Sequence, residues 1–120
     1  MRSVLTLAES LWRSRIPDER MVAILLLEAR DRFLEDAQWK MFRRWMKQVR
    51  TVELGDALAR LFGALVMGDR SWIRVLRHWT QSEDPWERRM AVLSVLPRCH
   101  LMKDTEAAEF VCAPLRQDRN

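Results

Sequence analysis

Apolar residues recur along this chain with a helical rhythm. Leu7, Ala8, Leu11 and Trp12, then Phe42, Trp45, Met46 and Val49, then Trp72, Val75, Leu76 and Trp79, mark three stripes of the kind that gives a helix one apolar face. The stripes are related to one another. Leu11, Trp45 and Trp79 form one series at an interval of 34 residues, and Ala8, Phe42 and Leu76 form another. A second kind of segment follows each stripe. Pro17 to Glu28 aligns without a gap on Pro85 to Leu96, matching Pro, Glu, Arg, Ala and Leu at an offset of 68, and half that offset falls on Thr51 to Ala59. There Glu53 stands between Glu19 and Glu87, and Ala57 between Ala23 and Ala91. Three copies of a helical pair are therefore expected.

Local chemistry agrees with the period. Pro17 and Pro85 suit the first helical position, where no backbone N–H bond is lost, and Asp84 with Glu87 has the spacing of a capping box. Helices are expected at about 3–14, 17–30, 36–49, 52–66, 71–80, 85–97 and 104–115. This predicts an all-α, HEAT-like helical repeat solenoid of three helical pairs plus one C-terminal helix. Residues 1–120 are read as a single domain, with repeats at about 3–32, 36–67 and 71–100 and a partial repeat at 104–120. The last helix has no partner in this scheme: either it packs unpaired, or it belongs to a longer solenoid, or it meets a second copy or a protein partner at that end.

Composition narrows the fold class further. The 120 residues are 48% apolar and 32% charged, enough for a core. Three Gly, no Tyr and only sixteen β-branched residues leave little material for sheets. The longest unbroken apolar run, Met21 to Leu27, is too short to cross a membrane, and no secretory leader is evident, so a soluble, cytoplasmic protein without membrane contact is expected. Cys99 and Cys112 are too few for a disulfide framework and read as reduced, structural thiols. The net charge of +4 comes with eighteen Arg against three Lys, and arginine's planar fork suits phosphate. A GC-rich genome also replaces Lys by Arg, so composition alone does not establish a nucleic-acid partner.

Candidate chemistry is sparse. No Gly-rich phosphate loop, nucleophile–base arrangement or metal-ligand cluster is present, so no metal and no cofactor are expected. His78 and His100 read as ordinary surface or boundary residues, the second in a linker. Trp12, Trp39, Trp45, Trp72 and Trp79 read as core, whereas Trp86, in the first turn of a helix, is equally a surface candidate. Asp56 is the unusual acid: it replaces Val22 and Met90, apolar at the equivalent positions, and an unpaired buried charge would be costly. Arg89 lies one position before Met90, so an Asp56–Arg89 structural pair is one reading and a groove-facing carboxylate the other.

The run Leu7-Ala-Glu-Ser-Leu-Trp12, the run Arg20-Met-Val-Ala-Ile-Leu-Leu-Leu-Glu28, then Trp45, Val49, Leu54, Asp56 and Leu58, Leu76-Arg-His-Trp79, and Ser82 to Ala91 together resemble the HEAT-like DNA alkylation repair glycosylases, the AlkD-like family. The resemblance covers residues 5 to 97. Its most specific part is a lone Asp in one second helix with Trp-x-x-Arg-x-Ala in the next. It implies excision of cationic N3- and N7-alkylated purines from duplex DNA held along a concave basic groove, without a base pocket. By resemblance Asp56 matches the catalytic aspartate and Arg89 an arginine that contacts the DNA backbone near the lesion. Arg88, Trp86, Arg50 and Arg60 are expected to join Arg89 in binding DNA.

Three departures bear on activity. Val52 stands where the family places a Trp four residues before its Asp, a second family Trp would fall after Asn120, and the family has further helices before the segment matching Leu5. If the chain is an enzyme, it is a 3-methyladenine/7-methylguanine glycosylase-like one, with low or absent excision expected. The alternative is a non-catalytic helical-repeat scaffold for protein partners. A tetratricopeptide-type peptide binder has the same period but a Trp-x-x-Leu-Gly-x-x-Tyr signature that this sequence lacks. Convergence of Arg50, Arg60, Arg88 and Arg89 on Asp56, with Arg43, Arg44 and Lys47 on an outer helix, would favour DNA; dispersal would favour the scaffold.

Overall fold

A computed structural model describes residues 1–117 as an all-α protein. The helices are α1 (Arg2–Arg13), α2 (Pro17–Glu28), α3 (Trp39–Met46), α4 (Val52–Gly68), α5 (Ile73–Trp79), α6 (Pro85–Met102) and α7 (Thr105–Gln117). Single 3-10 turns at Asp31–Phe33, Asp36–Gln38 and Arg70–Trp72 lie in the connections. Residues 118–120 of the expected partial repeat lie outside the described residues.

The helices form two layers. In one, α2, α4 and α6 pack in a row, with α4 between its neighbours; in the other lie α1, α3, α5 and α7. Within pairs α1 packs on α2, α3 on α4 and α5 on α6, while α7 contacts both α5 and α6. The body measures 43 × 28 × 20 Å, a proportion compatible with stacked pairs. Burial repeats with the 34-residue interval. Ala8, Phe42 and Leu76 are completely buried, as are Ala23 and Ala91, with Ala57 nearly so. The recurrent alanines put a small side chain at the same buried level of each second helix. No helix among the described residues is long and apolar enough to cross a membrane.

Aromatic rings tie the first-helix layer together. Trp12 of α1 stacks on Trp45 of α3 at 4.4 Å between centroids, and Trp39 stacks on Trp72 at 3.9 Å. Trp39, Phe42, Phe62 and Trp79 meet at tilted or edge-on angles that suit their quadrupoles. Three of the indole N–H groups have acceptors: Trp12 donates to Gln48 at 2.7 Å, Trp45 to Glu9 at 3.0 Å and Trp72 to Asp36 at 2.9 Å.

Helix ends differ from expectation in instructive ways. The segments expected as helices at 36–49 and 71–80 open with a 3-10 turn before the α-helix starts. The helix expected at 85–97 continues through Pro97 to Met102, placing His100 in α6 and not in a linker. Pro97 removes one backbone donor there, and its ring lies against Gly63 of α4, where the missing side chain leaves room. The Asp84 carboxylate does cap α6, accepting from the Trp86 N–H at 2.9 Å. Glu87 does not complete a capping box; it is drawn away to Arg43 of α3 at 2.9 Å.

Candidate functional site

Two second helices bring the candidate residues together. Thr51 caps α4, its hydroxyl accepting from the Leu54 N–H, and Asp56 follows in the second turn. Pro85 and the Asp84 cap start α6, which carries Trp86 in its first turn and Arg89 one turn on, so both share a face. Arg89 Nη2 donates to Asp56 Oδ1 at 2.6 Å, joining the two helices. The pair is not enclosed: the side chains are 36% and 44% exposed, respectively.

The equivalence of positions 22, 56 and 90 suggested an apolar slot for Asp56, and the structure corrects this. Val22 is 45% exposed whereas Met90 is 4% exposed, so the three positions do not share one environment. An apolar side chain at Val22 was no sign of burial, because apolar residues routinely stand on protein surfaces. Asp56 therefore carries no deep desolvation cost. Val52, one turn earlier, is also exposed.

Gly55 is a part of the site that sequence reasoning missed. A Cβ there would stand 3.4 Å from Arg89 Nη1 and 4.0 Å from Trp86 Cζ3, so its bare backbone lets both side chains lie over α4. The signal was available as a glycine next to Asp56 inside a helix, where it costs stability and needs a packing reason.

The remaining arginines do not gather on Asp56. Arg88 Nη1 turns back to the Ser82 carbonyl at 2.8 Å. Arg50 donates to the Val49 carbonyl and lies 3.8 Å from Asp84. Arg60 pairs with Glu28 of α2 at 2.6 Å, although it also lines, with Asp56, Leu93 and Leu96, a shallow recess of about 210 Å³. Asp56, Arg89, Trp86 and Arg60 are thus neighbours on the α4–α6 face, while Arg50 and Arg88 hold the loop before α6. On α3, Arg43 pairs with Glu87 and Arg44 with Glu9.

Compared with known protein families, residues 2–120 match the family described as DNA alkylation repair enzyme. The chain belongs to that family. The match spans nearly the whole sequence and so covers both helices that carry Asp56 and Arg89. No curated protein and no solved structure matches the chain. Family membership brings interaction with DNA into view, and the pair of α4 and α6 is where this chain presents an acid, an arginine and a half-buried indole side by side.

Proposed function

We propose that this DNA alkylation repair family member holds the backbone of duplex DNA across the face where α4 and α6 meet, with Arg89 as phosphate contact and Asp56 facing the sugar of an alkylated purine nucleotide. The observation that carries this reading is the half-exposed Asp56–Arg89 pair. An ion pair in contact with solvent contributes at most about 1 kcal/mol. A DNA phosphate offers the guanidinium a hydrogen bond of the same charge-assisted kind, so exchanging one acceptor for the other costs little. Once Arg89 turns to the phosphate, Asp56 is left as a free carboxylate beside it.

That carboxylate suits one kind of chemistry. A purine already cationic through N3 or N7 alkylation leaves without a general acid, and a single anion can stabilise the oxocarbenium-like sugar and orient water. Trp86 over Gly55 supplies one aromatic wall. Val52 supplies none, so excision by this chain is low or absent in the proposal, and DNA-backbone binding is its main activity. We read the stacked pairs as HEAT-like repeats of a concave solenoid and the protein as cytoplasmic.

Release of 7-methylguanine from duplex DNA by the purified chain, with Asp56→Asn and Val52→Trp beside it, tests the chemistry. Excision abolished by Asp56→Asn establishes an enzyme, and a gain on Val52→Trp shows that the missing aromatic wall limits it. Fluorescence anisotropy with an undamaged duplex tests the binding. Affinity should fall by roughly one power of salt concentration per phosphate contact, and Arg88→Ala with Arg89→Ala should weaken it. A second reading, a non-catalytic scaffold that binds protein, is favoured by the dispersal of Arg50, Arg60 and Arg88 into other contacts. It takes over if no duplex binding is measured.

A further inference from the structure

The ends of α1 and α3 and the start of α2 enclose a cleft of about 390 Å³ that shares no residue with the Asp56 recess. Five cations line it, Arg13, Arg15, Arg20, Arg44 and Lys47, against one carboxylate, Glu9. That carboxylate is already engaged on both oxygens, accepting from the Trp45 indole at 3.0 Å and meeting Arg44 at 3.4 Å. Arg20 is a fixed part of the wall. Its guanidinium donates to the Trp12 carbonyl at 3.0 Å and to Gln48 Oε1 at 2.9 Å, and lies 4.6 Å over the Trp12 ring.

Three of the other cations are left without compensation. Arg13, Arg15 and Lys47 are exposed and have no acidic partner among the described residues. Partial burial, and then the neighbouring charge of Arg15, lower the pKa of Arg20. Arg15 also adopts a left-handed backbone, φ 63°, at the turn between α1 and α2, a conformation that glycine takes without cost. A long cation therefore occupies a position that the local fold would give to glycine.

The walls decide which part of a ligand is read. Trp12 and Trp45 are stacked at 3° between ring planes, both are buried, and both N–H groups have acceptors. Neither ring offers a face on which a base could stack, so recognition falls to charge. We propose that this cleft is a phosphate-binding site, occupied by backbone phosphates of duplex DNA in addition to the contact at Arg89. The source of the phosphate rests on the DNA reading given above; the chemistry of the site does not.

Two probes and one composite variant test it. The variant is Arg13→Ala/Arg15→Gly/Lys47→Ala, and the probes are an undamaged 16-base-pair fluorescent duplex and inorganic tripolyphosphate. Duplex affinity at low salt should fall at least about tenfold, and the plot of log affinity against log salt should become shallower by about 2–3, because each phosphate contact contributes close to one unit of slope. Tripolyphosphate binding, measured by titration calorimetry, should fall in parallel. The single variant Arg15→Gly guards against misfolding: it should weaken both ligands while leaving the melting temperature unchanged or higher, since glycine relaxes that backbone. Unchanged duplex affinity and salt slope in the composite variant, with Arg89→Ala still weakening the duplex, overturns the cleft and leaves the DNA reading standing. Loss of tripolyphosphate binding in the variant, with no duplex binding even by the native chain, upholds the phosphate site and overturns the DNA reading. Binding of neither probe by the native chain overturns the site.

Discussion

Gly55 and Gly63 stand eight residues apart inside α4, and replacing each by alanine separates helix propensity from packing. Either substitution gains about 1 kcal/mol from alanine's better helix propensity. What the new Cβ meets differs. At position 55 its nearest neighbour is Arg89 Nη1 at 3.4 Å, the far end of a long side chain that can shift toward solvent. At position 63 it meets Pro97 Cγ at 2.9 Å and the Ser94 carbonyl at 3.4 Å. A proline ring cannot swing aside, and the carbonyl belongs to a helix packed along α4.

Forcing an extra carbon into such a contact costs about 1–3 kcal/mol. Gly55→Ala is therefore expected to be about 0.5–1 kcal/mol more stable than the native chain, and Gly63→Ala neutral to about 2 kcal/mol less stable. Their difference cancels propensity and reports the contacts with Pro97 and the Ser94 carbonyl. At about 4 °C per kcal/mol for a domain of this size, melting followed by circular dichroism at 222 nm should separate the two variants by about 2–12 °C. Adding Pro97→Ala should rescue Gly63→Ala and leave Gly55→Ala untouched, a coupling that a double-mutant cycle resolves. Equal stabilisation by both glycine substitutions would refute the close crossing of α4 and α6 that also places Arg89 beside Asp56.

Three other outcomes follow from the same contacts. Trp45→Ala removes a buried ring from the Trp12 stack and leaves Glu9 without its indole donor, so urea unfolding should show a loss of about 3–5 kcal/mol. Asp56→Asn touches a half-exposed pair and should change stability by less than about 1 kcal/mol, which separates any effect on DNA from an effect on folding. Arg70 and then Arg98 hold the Asp104 carboxyl well below the usual carboxylate range. A depressed folded-state pKa stabilises above the ordinary value of 3.8 and loses that contribution as pH falls below it. The gap in urea midpoint between the native chain and Asp104→Asn should accordingly be constant near neutral pH and shrink at pH 3.

The helical pairs were legible because a repeating stack imposes one demand on equivalent positions. Ala23, Ala57 and Ala91 face close neighbours in each copy, and Ala8, Phe42 and Leu76 fill the same layer, so burial reproduces the spacing of the sequence. Helix ends were less legible because tertiary contact overrides local rules. Pro97 would normally stop α6, yet Gly63, 34 positions earlier, gives its ring a place. The juxtaposition of Asp56 and Arg89 was legible, since their backbone positions follow from helix phase. The destinations of Arg50, Arg60 and Arg88 were not, since a long arginine side chain can choose among several acceptors and the choice depends on neighbours distant in sequence.

The ion pairs carry this into the electrostatics of the surface. Arg44–Glu9, Arg50–Asp84, Arg60–Glu28, Arg70–Asp104 and Arg89–Asp56 each join residues 32 to 35 positions apart, close to the period of the helical pairs. Arginine here serves largely as a fastener between successive pairs, its fork reaching a carboxylate on an adjacent copy, either before or after its own. An arginine so paired is neutralised locally and adds little to the field that a polyanion feels beyond a Debye length of about 8–10 Å. In the proposed function, steering of DNA falls to cations without acidic partners, of which Arg13, Arg15 and Lys47 line one cleft. The pair at Asp56 differs from the others in that its two members are also the acid and the phosphate contact of the proposed site. Its solvent exposure, shared with Arg50–Asp84 and Arg60–Glu28, keeps it weak, so in the proposed function exchanging this internal contact for a DNA phosphate costs the stack little.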